Sequence, residues 1–94
     1  MIFVYMVECA DGTLYTGIAK DPEAREAMHN AGRGAKYTRS RLPVRMVWQQ
    51  QFASEHLARR AEVLIKQLSR QEKLRLAAGE VVLCDVCPRL FSGD

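Results

Sequence analysis

At 94 residues, 48% hydrophobic and 27% charged, the chain has room for one domain with a single modest core, and its composition is that of an ordinary globular protein. No apolar run approaches the roughly 20 residues that span a bilayer. The start MIFVYMVECADG meets an acid and a turn too early for a signal peptide, so a cytoplasmic protein without membrane contact is expected.

Residues 2 to 8 and 14 to 18 are rich in Ile, Val, Phe, Tyr and Leu, and the intervening Asp11-Gly12 signals a hairpin. DPEAREAMHNAG follows, with Asp21 as N-cap, Pro22 at the first helical position, Glu23 in the first turn and Gly32 past the end; this predicts a short helix. RGAKYTRSRLP reads as a loop with a basic surface. VRMVWQQQF alternates Val44, Met46 and Trp48 against Arg45, Val47 and Gln49, which predicts a half-buried third strand.

Ser54 can cap a second helix on which Leu57, Ala58, Ala61, Leu64, Ile65 and Leu68 make one apolar stripe. Ser69 and Glu72 form a capping box for a third helix running through Leu74 and Leu76 to Gly79. The apolar run in EVVLCDVCPRLFSGD fits a strand or an ordered coil equally. The order β-β-α-β-α-α predicts an α+β fold, a small three-stranded antiparallel sheet flanked by helices. It occupies a single domain over residues 1–79, with 80–94 as a tail.

The net charge of +3 is mild but unevenly spread. No acid occurs from Ala27 to Ser54, a stretch containing Arg33, Lys36, Arg39, Arg41 and Arg45. Such a segment suits a polyanion or is simply a solvated loop. Three cysteines without a secretory leader read as reduced thiols. Cys84 and Cys87 form a C-x-x-C, yet a structural zinc site needs four ligands and the chain offers no second pair.

Arg25 and His29 are four apart and share one face of the first helix. Alone, they fit a catalytic pair or a surface arginine with a histidine near the helix C-terminus. Glu62 lies at the margin of the apolar stripe, beyond Ile65 and Ala58, where a carboxylate can look along the sheet and still reach water. The other reading of Glu62 is an ion pair with Lys66 or Arg59.

VYMV, then YTG beginning ten residues after the tyrosine of VYMV, DPEAREAMHN and LARRAEVLIKQLSRQEKL together resemble the GIY-YIG nuclease superfamily, in particular its small single-domain bacterial branch. The resemblance covers about residues 2 to 78. Position by position, Tyr5 matches the tyrosine of the first motif, and Tyr15 and Gly17 match those of the second. Arg25 matches the helix arginine, His29 a position that takes His or Tyr, and Glu62 the metal-binding glutamate. GAKYT at Gly34 to Thr38 also looks like this branch. The first motif departs in reading Phe3-Val4-Tyr5 instead of Gly-Ile-Tyr. Thr16 stands for the usual Ile, and the asparagine that larger members carry beyond the glutamate has no counterpart we can place.

The resemblance implies a metal-dependent DNA endonuclease, structure-selective in repair or recombination, or else a weakly active nucleic-acid-binding module with the same fold. Glu62 would hold Mg²⁺, with Mn²⁺ as a substitute, and no small-molecule cofactor is expected. Arg25 would clamp phosphate. A tyrosine, with an ordinary pKa of about 10, would orient or deprotonate water with help from neighbouring cations, and His29 would share the proton transfer. Arg33, Lys36, Tyr37, Arg39 and Arg41 would meet the DNA backbone, and Gly17 would leave space beside Tyr5 for a phosphate. A two-residue turn at Asp11-Gly12 would place the tyrosines on opposite sheet faces. A three-residue loop Ala10-Asp11-Gly12, with Gly12 left-handed, would put Tyr5 opposite Gly17 and both tyrosines on one face, where all five site residues would gather.

Overall fold

The computed structural model describes residues 1–86. β1 (Ile2–Glu8) and β2 (Leu14–Ala19) form the hairpin, joined by the three-residue loop. The Cys9 N–H donates to the Thr13 carbonyl at 2.8 Å, the Gly12 N–H donates to the Cys9 carbonyl at 2.9 Å, and Gly12 has a φ of 84°. A left-handed residue closes this type of loop, and glycine takes that conformation without steric cost. Asp11 stiffens the turn by accepting from the Thr13 N–H at 3.1 Å and from its hydroxyl at 2.6 Å. Tyr5 consequently faces Gly17, and Val7 faces Tyr15.

β3 (Arg45–Phe52) pairs antiparallel with the other side of β1, giving the order β2-β1-β3. The alternation expected for this strand breaks. Met6 faces Trp48 whereas Val7 faces Met46, so Val47 is the extra residue of a β-bulge. Val44 and Met46 therefore pack on the face of Tyr5 and Val7, while Val47 and Trp48 both pack on the face of Val4 and Met6.

Helices cover both faces. On the Val4 side lie α3 (Glu55–Lys66) and α4 (Arg70–Ala77). Ser54 caps α3 by accepting the Leu57 N–H at 3.2 Å, and Ser69 and Glu72 complete the capping box of α4. Ala58, Ala61 and Ile65 of the apolar stripe are fully buried, and burying the isoleucine alone stabilises the fold by roughly 1.5–3 kcal/mol. On the Tyr5 side lies α1 (Pro22–Asn30), capped by Asp21. It is clamped to the start of β3. Glu26 accepts the Met46 N–H at 2.6 Å, while the Asn30 side chain accepts from the Val44 N–H at 2.7 Å and donates to its carbonyl at 3.1 Å.

Two segments differ from expectation. The basic loop contains a single helical turn, α2 (Lys36–Arg39), nucleated by the buried Thr38, whose hydroxyl donates to the Ala35 carbonyl at 2.8 Å. After α4 the chain makes a further turn, α5 (Leu83–Val86), instead of a strand or coil, because Leu83 drops into the core beside Ile65 and Leu76. Cys84 is exposed, and Cys87 lies outside the described residues. No helix among the described residues is long and apolar enough to cross a membrane.

Thr16 is 3% exposed and its hydroxyl has no hydrogen-bond partner among the described residues. The position is thus built for an apolar side chain of this shape. Thr16→Val removes a buried polar atom with no partner, and is expected to raise stability by about 1 kcal/mol. A thermal melt of the purified variant checks this; a lowered midpoint would show that the hydroxyl has a partner after all.

Candidate active site

The centre of the site is the Tyr5 phenol, 1% exposed, whose ring runs outward over Gly17. Space beside Gly17 is therefore not open for a phosphate, contrary to the expectation from sequence: a Cβ built on Gly17 would stand 2.5 Å from the Tyr5 hydroxyl. That hydroxyl lies 2.8 Å from Nε2 of His29, which α1 carries over the same face. Tyr15 completes an aromatic triangle, its ring 6.5 Å from that of Tyr5 and edge-on to His29 at 5.6 Å.

His29 is buried, and the segment 34–38 determines how it sits. The Ala35 N–H points at Nδ1 at 3.3 Å, and the Thr38 hydroxyl lies 2.9 Å from the same nitrogen. Both ring nitrogens are thus engaged, Nδ1 by the 34–38 segment and Nε2 by the Tyr5 hydroxyl, and the imidazole tautomer sets which way each side-chain hydrogen bond runs. Gly34 has no room for a side chain, because a Cβ there would overlap the imidazole. Sequence reading missed Gly34, Ala35 and Thr38 as supports of His29. The signal was the GAKYT string itself, whose two small residues and threonine look like plain loop chemistry until the histidine is seen above them.

Electrostatics separate the groups. Burial, with a smaller push from Tyr15, raises the Tyr5 hydroxyl to about 12, while Arg25 pulls in the opposite direction. Burial, reinforced by the Arg25 charge, holds His29 below its ordinary value of 6.5. The fold thus favours neutral imidazole. As pH falls, the unfolded chain takes up this proton first, so the stabilising contribution is fully present above about 6.5 and is lost as pH drops through the lower folded value. Denaturant titrations are expected to show stability declining below about pH 6.5, with a shallower decline in His29→Gln. Parallel profiles for the two proteins would remove His29 as the cause.

Arg25 reaches the outer edge of β2, where its Nη1 donates to the Ile18 carbonyl at 3.3 Å. Glu62 comes from the other side. Its helix, α3, packs on the Val4 and Met6 face, so the five residues do not share one sheet face as expected. The Glu62 charge nevertheless acts on the Tyr5 hydroxyl, raising its pKa. Four residues and a carboxylate from opposite faces thus meet around β2, one of the two edge strands. Glu62 also makes the ion pair that its sequence spacing allowed, with Lys66 at 3.2 Å, and its side chain is 21% exposed.

No group of three or more His, Cys, Asp or Glu side chains able to hold a metal occurs among the described residues. A single half-exposed carboxylate fits Mg²⁺ held largely through its own waters, and does not fit a closed protein cage.

The basic segment is less uniform than its composition. Arg41 pairs with Asp11 at 3.0 Å, donates to the Tyr37 carbonyl at 2.7 Å and lies 4.0 Å from the centre of the Tyr37 ring. Tyr37 stacks in turn on Tyr15, with ring centres 5.8 Å apart, so its ring is already engaged within the protein. Hydrogen bonds from Thr13, with a lesser contribution from Arg41, hold Asp11 below its usual carboxylate range. Arg45 pairs with Glu8 across the sheet at 2.7 Å. Arg33, Lys36 and Arg39 are exposed. A concavity of about 600 Å³ at the start of α1 includes Lys20, Glu23, Glu26 and Gln49 but none of the five site residues, and its acidic lining does not suit a polyanion.

Two phenols, an imidazole, a guanidinium and one carboxylate thus lie around one edge strand of the three-stranded sheet in a small α+β domain. Residues 1–75 match the family model described as the GIY-YIG catalytic domain. The chain belongs to the GIY-YIG family. It is 53% identical over 72 residues to a UPF0213 protein of Streptococcus agalactiae, covering 77% of this chain and 82% of that one. It is equally identical over 74 residues to a UPF0213 protein of Staphylococcus haemolyticus, covering 79% and 90%. Among solved structures it resembles the solution NMR structure of a UPF0213 protein from Bacillus halodurans, at 43% identity and a TM-score of 0.55, covering 85% of this chain and 86% of that one. A second NMR structure, from E. faecalis, is 36% identical with a TM-score of 0.54, covering 83% and 84%.

Proposed function

We propose that this protein is a cytoplasmic, divalent-metal-dependent endonuclease that hydrolyses DNA phosphodiester bonds and selects its substrate by structure, as repair or recombination requires. The observation that carries the reading is the hydrogen-bonded pair of Tyr5 and His29 beside Tyr15, within electrostatic reach of Arg25 and Glu62. These are the groups that phosphodiester hydrolysis needs: a hydroxyl to handle the attacking water, a fixed cation for the charge on phosphate oxygens, and a carboxylate for a metal.

The two tyrosines have different tasks. Tyr5 is sealed in, its hydroxyl hydrogen-bonded to His29 and its pKa raised to about 12, so it stays protonated at neutral pH, is a poor base, and fixes the position of the imidazole beside Tyr15. Tyr15 is only half-buried and orients the attacking water. Arg25 is the phosphate clamp. Glu62 would hold the metal, which supplies Lewis-acid stabilisation of the developing charge. Arg33, Lys36 and Arg39 follow the backbone of the DNA without reading its bases.

Incubating the protein with nicked, branched and single-stranded DNA tests this. Cleavage is expected with Mg²⁺ or Mn²⁺, none is expected in chelator, and activity should return when metal is added back. Salt-sensitive binding with no cleavage under any metal condition would reduce the protein to a binding module.

A further inference from the structure

The cations on the α3 and α4 side do not share one fate. Arg59 is tied to Glu55, Lys66 to Glu62 and Arg75 to Glu80. Arg70 and Lys73, three apart on one face of α4, have no such carboxylate partner among the described residues. Arg70 is moreover the first residue of α4, where the helix dipole disfavours a cation. Charge at this place gains most from an anion that the chain itself does not provide.

Arg70 stands at the tip of the hairpin. A Cβ on Gly12 would lie 3.9 Å from its Nη2. On the other flank of the same turn Asp11 holds Arg41, and the exposed Arg39 and Lys36 continue along α2. α4 packs on the Val4 face, whereas the α2 segment holds His29 on the Tyr5 face. Positive charge therefore passes from the tyrosine face, round the hairpin tip, to the opposite face. Tyr15 is three steps along the chain from Gly12 at the tip, roughly 10 Å in an extended strand.

A straight duplex cannot follow that path. DNA is stiff over about 150 base pairs, and the domain is only 19 Å across its shortest axis. A helical arm lying on the tyrosine face would run past the tip and miss α4. A single strand, or a strand diverging at a junction, bends freely enough to turn the corner. We infer that the α4 surface of Arg70 and Lys73 receives the single-stranded branch of a flap or fork, while the duplex arm lies along α2. This rests on the nuclease reading above and supplies the structural basis for selecting branched DNA.

The test is equilibrium binding of fluorescently labelled DNA in chelator, which reads affinity without cleavage. The full chain and Arg70→Gln/Lys73→Gln are compared on a 5′ or 3′ flap and on a linear duplex of equal length. Arg70 is exposed and Lys73 half-buried, and circular dichroism confirms folding. Flap affinity is expected to fall about tenfold, and its dependence on log salt to flatten by roughly 1.4 for two lost single-strand contacts, with duplex affinity unchanged. An equal fall on both DNAs, or no fall on the flap, overturns the inference while leaving the nuclease reading intact. Failure of the unsubstituted protein to bind any DNA overturns both.

Discussion

Glu62→Gln is expected to abolish DNA cleavage, by roughly 10³-fold or more, while leaving the domain folded and able to bind DNA. The change keeps size and shape and removes one negative charge. Structurally it loses only the ion pair with Lys66, an i,i+4 contact between partly exposed side chains, worth a few tenths of a kcal/mol. Functionally it removes the one carboxylate that acts on the Tyr5 hydroxyl from across β2. A second readout separates metal binding from general damage: Mn²⁺ titrated against the protein should broaden the resonances of α3 in the native chain and leave them sharp in the variant. Neutralising Glu62 also removes an influence that raises the Tyr5 pKa, so that hydroxyl should titrate lower, which absorbance at alkaline pH detects. Cleavage at the native rate in Glu62→Gln would displace the metal from this residue.

Much of this arrangement is legible in the sequence, for reasons that are local. Asp11-Gly12 between two strand-forming runs, Asp21-Pro22, and Ser69 with Glu72 each satisfy backbone groups within four residues, so short windows contain the whole cause. The three-residue loop was decidable too, because only that register lets two residues ten apart share a face. What escaped was non-local. The bulge at Val47 arises where β3 must serve Val7 on one face and Met6 on the other, and nothing in VRMVWQQQF announces it. The fate of Arg41 depends on Asp11, thirty residues earlier in the chain, and composition counted it as a free phosphate contact. Glu62 was placed correctly on its helix but assigned to the wrong side of the sheet, since helical periodicity gives the margin of a stripe without saying which face the stripe covers.

The same non-local reasoning gives Gly17 a role that its motif position alone does not. Gly17→Ala puts a methyl carbon 2.5 Å from the Tyr5 oxygen, 2.7 Å from Cζ and 3.0 Å from Cε2. In an unobstructed strand this exchange would add a few tenths to 1 kcal/mol of stability, because glycine loses more freedom on folding. Here the phenol has nowhere to retreat. It is fully buried, its oxygen is held by His29 at 2.8 Å, and its ring packs against Tyr15. Overpacking therefore wins and is expected to cost about 1–3 kcal/mol. The displaced hydroxyl should lower cleavage by on the order of 10²-fold, the penalty for moving a reacting group by about 1 Å. A double variant tells strain from lost chemistry: adding Tyr5→Phe removes the closest contact, so stability should partly recover while cleavage stays low. The two substitutions should then be non-additive in stability, as expected of side chains in direct contact. Additive effects, or a Gly17→Ala protein that melts and cuts like the native one, would mean that the Tyr5 ring is free to move and that the site does not depend on its burial.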